Sequence, residues 1–402
     1  MGLFFDLPVK ALTFTAVKTD YTIVAQDTLI VAIVSKGESL QIVSNGAALH
    51  VSGGVGNYKE IQAFASNLTG AFSVRPTRPA AEARAYAQNV VFRAKKGNIF
   101  IINKVDEDFY LSGVCEAEAG CTAPPDYFKV QSIMSRTYLY AHFDRHAGDG
   151  FNLCDGVHCQ AYKGLQTRCT RAQRAVAATD GVLVADKDKM PIAPTYSANC
   201  GGQTCNSEDV WKNKLPYLRS TKDNYCFHQH GSNWTKRIPL AAWRSYMNSN
   251  GLYARSNSDF NFDQSSRKRY YTIGKNKIQL TKIRQQFGLR SAFFSVRVEG
   301  NNVVLTGRGY GHGVGVCQEG AMQMAERGIS FKKILQYYYK NTTLLDFDDL
   351  QPSQEMLVNE HSNIFNPWIN RLSLAISDST LLSSEMDSLY IEALLPLTFP
   401  TP

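Results

Sequence analysis

The sequence predicts an α+β protein, with a β-rich N-terminal region followed by a mixed α+β core. Three observations predict it. Residues 1–104 alternate short β-branched runs with turn residues; residues 125–141 carry apolar side chains at helical spacing; and a late hairpin runs through a glycine-alternating stretch into two further helical patterns. With 402 residues, of which 44% are hydrophobic and 19% charged, the chain is long enough for two or three domains with ordinary cores.

The N-terminal strands are clearest in "YTIVAQDTLIVAIVSKGESLQIVSNGAALHVSGG" and in "NVVFRAKKGNIFIINKV", a hairpin turning at Lys96 and Gly97. The period changes at "APPDYFKVQSIMSRTYLYAHF", where Tyr127, Val130, Met134, Tyr138 and Ala141 recur on one helical face and Pro124 and Pro125 suit the first turn. A loop rich in Asp, Gly, His and Cys follows. Next come a short helix ended by Gly181, a strand pair turning around Lys187 and Asp188, and an extended segment reaching Cys200. Residues 227–290 are polar, with Asn and Ser clusters, and predict an inserted lobe. "SAFFSVRVEGNNVVLTGRG" predicts a hairpin. A helix is expected from about Val316 to Gly328, and Ser330 is placed to cap another over "FKKILQYYYK". The implied organisation is residues 1–104, a core over residues 105–345, and a tail over residues 346–402 with no assigned role.

A net charge of +8 favours anionic surroundings without choosing among them. No window reaches the roughly 18–20 apolar residues of a membrane span, and "MGLFFDLPVKALTF" lacks the pattern of an export signal. The glycine run over residues 307–315 follows a strand and precedes a helix. It fits no G-x-G-x-x-G register and has no Lys-Ser/Thr pair, so it is not a nucleotide loop. Glycine at 307, 309, 311, 313 and 315 serves either a bulged turn or the close approach of a broad ligand to His312 and Gln318.

Nine cysteines, an odd number, cannot all pair within the chain. Cys154 and Cys159 bracket His158, with His142 and His146 upstream, a spacing that suits either a zinc ion or a small disulfide loop. In "GVCEAEAGCTAPPDYFK", Asp126 fits a helix first turn. Glu118, among small and apolar residues, is the candidate general acid, with Glu116 as its neighbour.

Taken in order, "YLSGVCEAEAG", "DYFKVQSIMSRTYLYAH", "CDGVHCQAYKG", "AVAATDGVLV", "YSANCGGQTCNSEDVWKNKLPYLRSTKDNYC" and "GRGYGHGVGVCQEGAMQMAERGISFKKILQYYYKNT" resemble the SpoIID/LytB family of peptidoglycan lytic transglycosylases over about residues 105–345. The resemblance implies a core with a deep glycan cleft and cleavage of the β-1,4 bond between N-acetylmuramic acid and N-acetylglucosamine, leaving a 1,6-anhydro end. It places the single acid-then-base at Glu118, eleven residues before Lys129. Two departures stand out: Asp126 replaces a usual glutamate, and Cys115 replaces a usual valine, so that a local Cys115–Cys121 bridge becomes conceivable.

The same resemblance implies a cleft-shaping Zn²⁺ on Cys154, Cys159 and an upstream histidine, taken as His146, with His142 and His158 as alternatives. Gln131, Arg136, Tyr196, His312 and Gln318 become the candidates for gripping the glycan. The implied partners are peptidoglycan strands and, through amidase-enhancer relatives, a wall amidase; nucleic acid is not among them. The implied location is the cell envelope or beyond it.

Overall fold

The computed structural model describes residues 1–165, 169–226 and 232–350. The fold is mixed α+β, as expected. Strands β1 (Gly2–Leu3), β2 (Ala11–Ala16), β3 (Tyr21–Ala25), β4 (Leu29–Val34), β5 (Ser39–Ser44), β6 (Leu49–Val51), β7 (Glu60–Ala65), β8 (Ala71–Arg78), β9 (Arg84–Ala87), β10 (Asn89–Lys95) and β11 (Asn98–Lys104) build two antiparallel sheets. Their orders are β1-β11-β10-β7-β3-β4 and β6-β5-β2-β8-β9. Alternate residues of β2 and β3 are buried, so each sheet has one inner face. Phe14 stacks on Phe72 of its own sheet at 5.7 Å and, across the gap, meets Tyr21 and Phe92 of the other sheet edge-on. The turn at Lys96 and Gly97 is where the alternation placed it, and both residues have positive φ.

The chain then enters a helix that the sequence reading did not assign. Helix α1 (Glu107–Ala119) ends at Gly120, whose φ of 67° only glycine adopts readily. Its buried set, Tyr110, Leu111, Val114 and Cys115, has helical spacing, but "GVCEAEAG" is too small-sided to show a strong apolar stripe.

Helix α2 (Pro125–Ala141) starts at its two prolines and is buried on nearly every side. It packs against α1, against α3 (Thr170–Ala177) and against β12 (Val182–Ala185). Burial all round forces its polar residues to find partners inside. Gln131 accepts from the Tyr127 hydroxyl at 3.1 Å and donates to Ser135 at 3.2 Å. Thr137 accepts the Val184 N–H at 3.0 Å. Arg136, with none of its surface exposed, pairs with Glu107 at 2.6 Å and donates to the carbonyls of Thr179 at 2.5 Å and Val176 at 3.3 Å. Arg136 therefore fastens α1 and α3 to α2 from within the core and cannot grip a ligand; Gln131 is equally enclosed. Both were expected to bind substrate, and both are corrected here.

β12 turns after Ala185, but only one bridge, Ala185 to Pro191, follows that turn; its main partner is β20, introduced below. A short parallel pair joins β13 (Tyr196–Ser197) to a strand ending at Cys317, with Tyr196 opposite Val316 and Ser197 opposite Cys317. Helix α4 (Ser207–Val210) follows β13.

Residues 233–308 contain β14 (Asn233–Pro239), α5 (Leu240–Ser249), β15 (Tyr270–Ile273), β16 (Asn276–Gln279), α6 (Leu280–Gln286), β17 (Phe294–Glu299) and β18 (Asn302–Arg308). They close a second core around Trp243, Tyr271, Phe294, Val296 and Leu305. The segment reads as polar because each short element sends few side chains inward; α5 buries only Trp243 and Met247. The expected late hairpin is β17–β18, and it belongs to this second core.

Strand β19 (Val316–Cys317) takes the two residues expected to open a helix, so α7 (Gln318–Glu326) starts at Gln318; α8 (Phe331–Tyr338) and β20 (Thr343–Asp346) follow. β20 pairs with β12 from Val182–Asp346 to Ala185–Thr343. The rest of the expected tail, from residue 351, lies outside the described residues.

Replacing Arg136 with alanine leaves the largely buried Glu107 without its cation, with the Tyr140 hydroxyl still bound to it, and frees the Thr179 and Val176 carbonyls. The expected cost is about 3–5 kcal/mol, the usual penalty for removing one partner of a buried ion pair. Urea unfolding followed by circular dichroism measures it; a loss below about 1 kcal/mol contradicts the buried-clamp role.

Candidate functional site

Glu116 and Glu118 sit in the last turn of α1, where acidic residues run against the helix dipole by typically 0.3–1 kcal/mol. Helix stability does not account for them there. The two side chains leave in different directions. Glu116 is buried, and its Oε1 accepts from the Cys121 thiol at 3.1 Å; burial pushes its carboxyl pKa up. Glu118 is half-buried, and its Oε1 accepts the backbone N–H of Ala161 at 3.2 Å. Asp126, the other nearby acid of the sequence reading, is paired with Lys129 at 3.0 Å.

Three aromatic and polar groups surround Glu118. The Tyr196 hydroxyl faces its carboxylate, and burial together with that charge pushes the phenol well above its ordinary value. Tyr127 and Cys115 also feel the Glu118 charge, although burial is the larger cause of their raised values. The Gln318 amide reaches toward the Tyr127 hydroxyl, yet its buried Nε2 makes no well-formed hydrogen bond among the described residues. Thus Glu118 comes from the end of α1, Tyr196 from β13, and Gln318 from the start of α7. The β13–β19 pairing sets the last two side by side.

The glycine run has a different explanation from the one its spacing suggested. A Cβ at Gly315 would lie 2.0 Å from the Thr195 carbonyl oxygen, and one at Gly309 would lie 2.8 Å from that of Asn199. Both residues have positive φ, 75° and 84°. Gly309, Gly311 and Gly315 let the run press on residues 195–201 with no room for a ligand between them, whereas Gly307 clears the Trp234 ring and Gly313 the Arg267 guanidinium.

His312 is part of that latch. Its Nδ1 accepts the Val314 N–H at 3.0 Å. Burial, aided by the Arg284 and Arg267 cations, pushes its pKa down to about 4, so the ring is neutral at physiological pH. His312 thus shapes its own loop through Nδ1, while the ring as a whole is partly exposed. Trp211 covers the ring at 5.1 Å between centroids and remains 42% exposed. Nothing in the sequence reading singled out Trp211, although a tryptophan directly after a short acidic helix was there to notice.

A second cluster lies in the loop after α2. His146, Cys154, His158 and Cys159 bring one donor atom each to within 4.8 Å of one another. His158 Nδ1 is 3.8 Å from Cys154 Sγ and 3.7 Å from Cys159 Sγ. His146 is wedged between Phe5 and Phe151, its Nδ1 is 3.6 Å from Asp149, and its buried Nε2 has no hydrogen-bond partner among the described residues. His142 points elsewhere, stacking on Tyr138 and bonding that residue's carbonyl at 3.1 Å. The thiols of Cys154 and Cys159 are free, and these four residues are a group that could hold a metal. The conceivable Cys115–Cys121 bridge is absent: Cys115 is buried in the core, while Cys121 is exposed beside Glu116. A cavity of about 240 Å³ between the segment Gly2–Pro8, β11 and Phe151 includes none of the Glu118 group.

Residues 95–185 match the family model SpoIID, described as stage II sporulation protein. Over this segment the chain is similar to the SpoIID family. The matched segment holds α1, α2, Glu118 and the His146–Cys159 loop, whereas Tyr196, His312 and Gln318 lie beyond it. A Bacillus subtilis protein named stage II sporulation protein D is 26% identical over 274 residues, covering 61% of this chain and 76% of the relative. An uncharacterized protein of Brachyspira hyodysenteriae is 26% identical over 318 residues, 77% of this chain and 83% of the relative. A B. subtilis protein named amidase enhancer is 23% identical over 59% of this chain, which spans 40% of that protein's length. No helix among the described residues is long and apolar enough to cross a membrane.

The His312 latch has a pH signature. Its folded pKa lies below the unfolded value of 6.5, so the unfolded chain binds the extra proton and stability falls as pH drops from about 6.5 to about 4. The stability of the wild type minus that of His312→Gln is expected to grow as pH rises through this window. Thermal melts of both proteins at several pH values check it; a pH-independent difference refutes the buried neutral ring.

Proposed function

We propose that this protein cleaves the glycan strands of peptidoglycan as a lytic transglycosylase, with Glu118 as the one residue that acts first as acid and then as base. The observation that carries this reading is the placement of Glu118. It is a half-buried carboxylate held by one backbone N–H and faced by a tyrosine hydroxyl. A protonated Glu118 gives its proton to the glycosidic oxygen as positive charge develops at C1. The carboxylate then takes the proton of the sugar's 6-hydroxyl, which closes on C1 to give the anhydro ring. Neither Glu116, turned to Cys121, nor Asp126, paired with Lys129, is offered to Glu118 as a second acid, which suits a one-carboxylate reaction rather than a two-carboxylate hydrolysis.

Tyr196 and Gln318 orient the substrate around that proton transfer, and Trp211 supplies an exposed aromatic face on which a sugar ring can lie. The family match and the named relatives support a cell-wall setting, hence a location in the envelope or outside the cell. The similarity to an amidase enhancer supports a second reading, a wall-binding protein that assists an amidase without cutting glycan.

The proposed ligands of a Zn²⁺ ion are His146, Cys154 and Cys159, with His158 as the fourth donor. The unpartnered His146 Nε2 and the two buried thiols fit such an ion. Four protein donors leave no open position, so the ion would brace the loop against the N-terminal strands and take no part in proton transfer.

Purified, peptide-free glycan strands digested by the wild type and analysed by mass spectrometry are expected to yield anhydro-muramic ends. Glu118→Gln is expected to slow their formation at least about 100-fold, the low end for loss of a general acid. Glu116→Gln should keep most of the rate. Undiminished anhydro product from Glu118→Gln would leave the wall-binding reading in its place. Elemental analysis of the paired change Cys154→Ser and Cys159→Ser is expected to show one zinc fewer per chain than the wild type; equal content removes this metal assignment.

A further inference from the structure

A second group of metal-binding side chains lies away from the loop after α2, in the packed interior behind β13. Cys200, Asp223, Cys226 and Cys317 are all buried, and one donor atom from each falls within 4.8 Å of the others. Cys200 Sγ is 3.4 Å from Cys226 Sγ and 3.3 Å from Asp223 Oδ2. The sequence reading noted these cysteines only as part of an odd total. From this convergence we propose that Cys200, Asp223, Cys226 and Cys317 bind one Zn²⁺ ion as a closed structural site.

Four features favour an ion over the alternatives. First, ligands on a tetrahedral zinc with Zn–S near 2.3 Å stand about 3.8 Å apart, close to the observed spacing. Second, a disulfide would use two of the three sulfurs and leave a thiol and a carboxyl group buried against it with nothing to do, whereas one ion uses all four donors. Third, the sulfurs are held as metal thiolates are held: the Gly202 N–H donates to Cys226 Sγ at 3.2 Å, and the Cys200 N–H donates to Cys317 Sγ at 3.2 Å. Fourth, Asp223 is oriented by its own partners, the Tyr225 N–H on Oδ1 at 2.9 Å and the Tyr338 hydroxyl on Oδ2 at 2.9 Å. An iron–sulfur cluster does not fit so tight a group, because its cysteines ligate different irons.

Zinc binding at this site releases the thiol protons and leaves an excess of negative charge in the interior. A cation stands beside it: the Arg267 guanidinium donates to the Cys200 carbonyl at 2.7 Å.

The consequence is mechanical. Cys200 follows β13 and Cys317 ends β19, immediately before Gln318, while residues 223–226 come from a separate turn that reaches α8 through Tyr338. One ion would tie these segments together directly behind Tyr196 and Gln318. The proposal stands on this cluster alone and holds whether or not the glycan reading does.

The test uses the full chain, purified under reducing conditions, in the background of Cys154→Ser with Cys159→Ser. That background is expected to retain one zinc per chain by elemental analysis, and adding Cys226→Ser is expected to remove it. Loaded with Co²⁺ instead, the background protein should show thiolate-to-cobalt charge-transfer absorption, weakened by Cys317→Ser. A folded background protein with no zinc and no such absorption overturns the proposal. So does the wild-type chain, needing no substitution, if peptide mapping without reductant finds Cys200 and Cys226 joined; recovery of all three cysteines as thiols, together with zinc released by acid from the background protein, supports it.

Discussion

Residues 307–315 lie backbone to backbone on residues 195–201, and the arrangement of everything around Glu118 depends on that contact. Where a Cβ would come within 2.0 Å of a carbonyl oxygen, only glycine permits the two segments to meet. The contact aligns β13 with β19, and that two-residue pairing sets Tyr196 beside the strand that runs directly into Gln318, the first residue of α7. His312 supports the loop from within by accepting the Val314 N–H on Nδ1. A histidine used in this way has to be neutral, and its burial among cations keeps it so.

The opposite wall is made differently. Helix α2 is buried on nearly all sides, and its polar residues are structural: Arg136 ties α1 and α3 to it, and Gln131 and Thr137 satisfy one another's neighbours. Because α1 is fixed through Glu107 at its start, its far end is fixed as well, and with it the direction of Glu118. The carboxylate is thus set between two rigid supports, one made of buried hydrogen bonds and the other of bare backbone. Such supports matter more to proton transfer than any single contact, since a displacement of about 1 Å in a reacting group can cost roughly 100-fold in rate.

Much of this architecture was legible in the chain. The β-rich start, the hairpin turning at Lys96 and Gly97, the helix opening at Pro125, and the helices at the C-terminal end all follow from period, punctuation and capping residues. Other elements were hidden for identifiable reasons. The small residues of "GVCEAEAG" blur the apolar stripe of α1, so the helix carrying Glu118 went unassigned. The second core spreads its inward side chains over short elements, and residues 233–308 looked merely polar. Arg136 and Gln131 looked like ligand-binding residues because a polar side chain on a helix carries no mark in the sequence of whether it faces a cleft or a core.

By itself, the sequence determined the α+β class and the positions of the strong strands and helices, because local period and turn chemistry are properties of neighbouring residues; the choice of Glu118 as candidate acid rested on the family resemblance. Only the tertiary structure decided which polar residues are free. It enclosed Arg136 and Gln131, turned His312 Nδ1 onto its own loop, exposed Trp211, and gathered cysteines separated by more than a hundred positions into one cluster. The physical reason is that burial and convergence depend on which elements meet, and that is settled by long-range packing and hydrogen-bond satisfaction which no local pattern encodes.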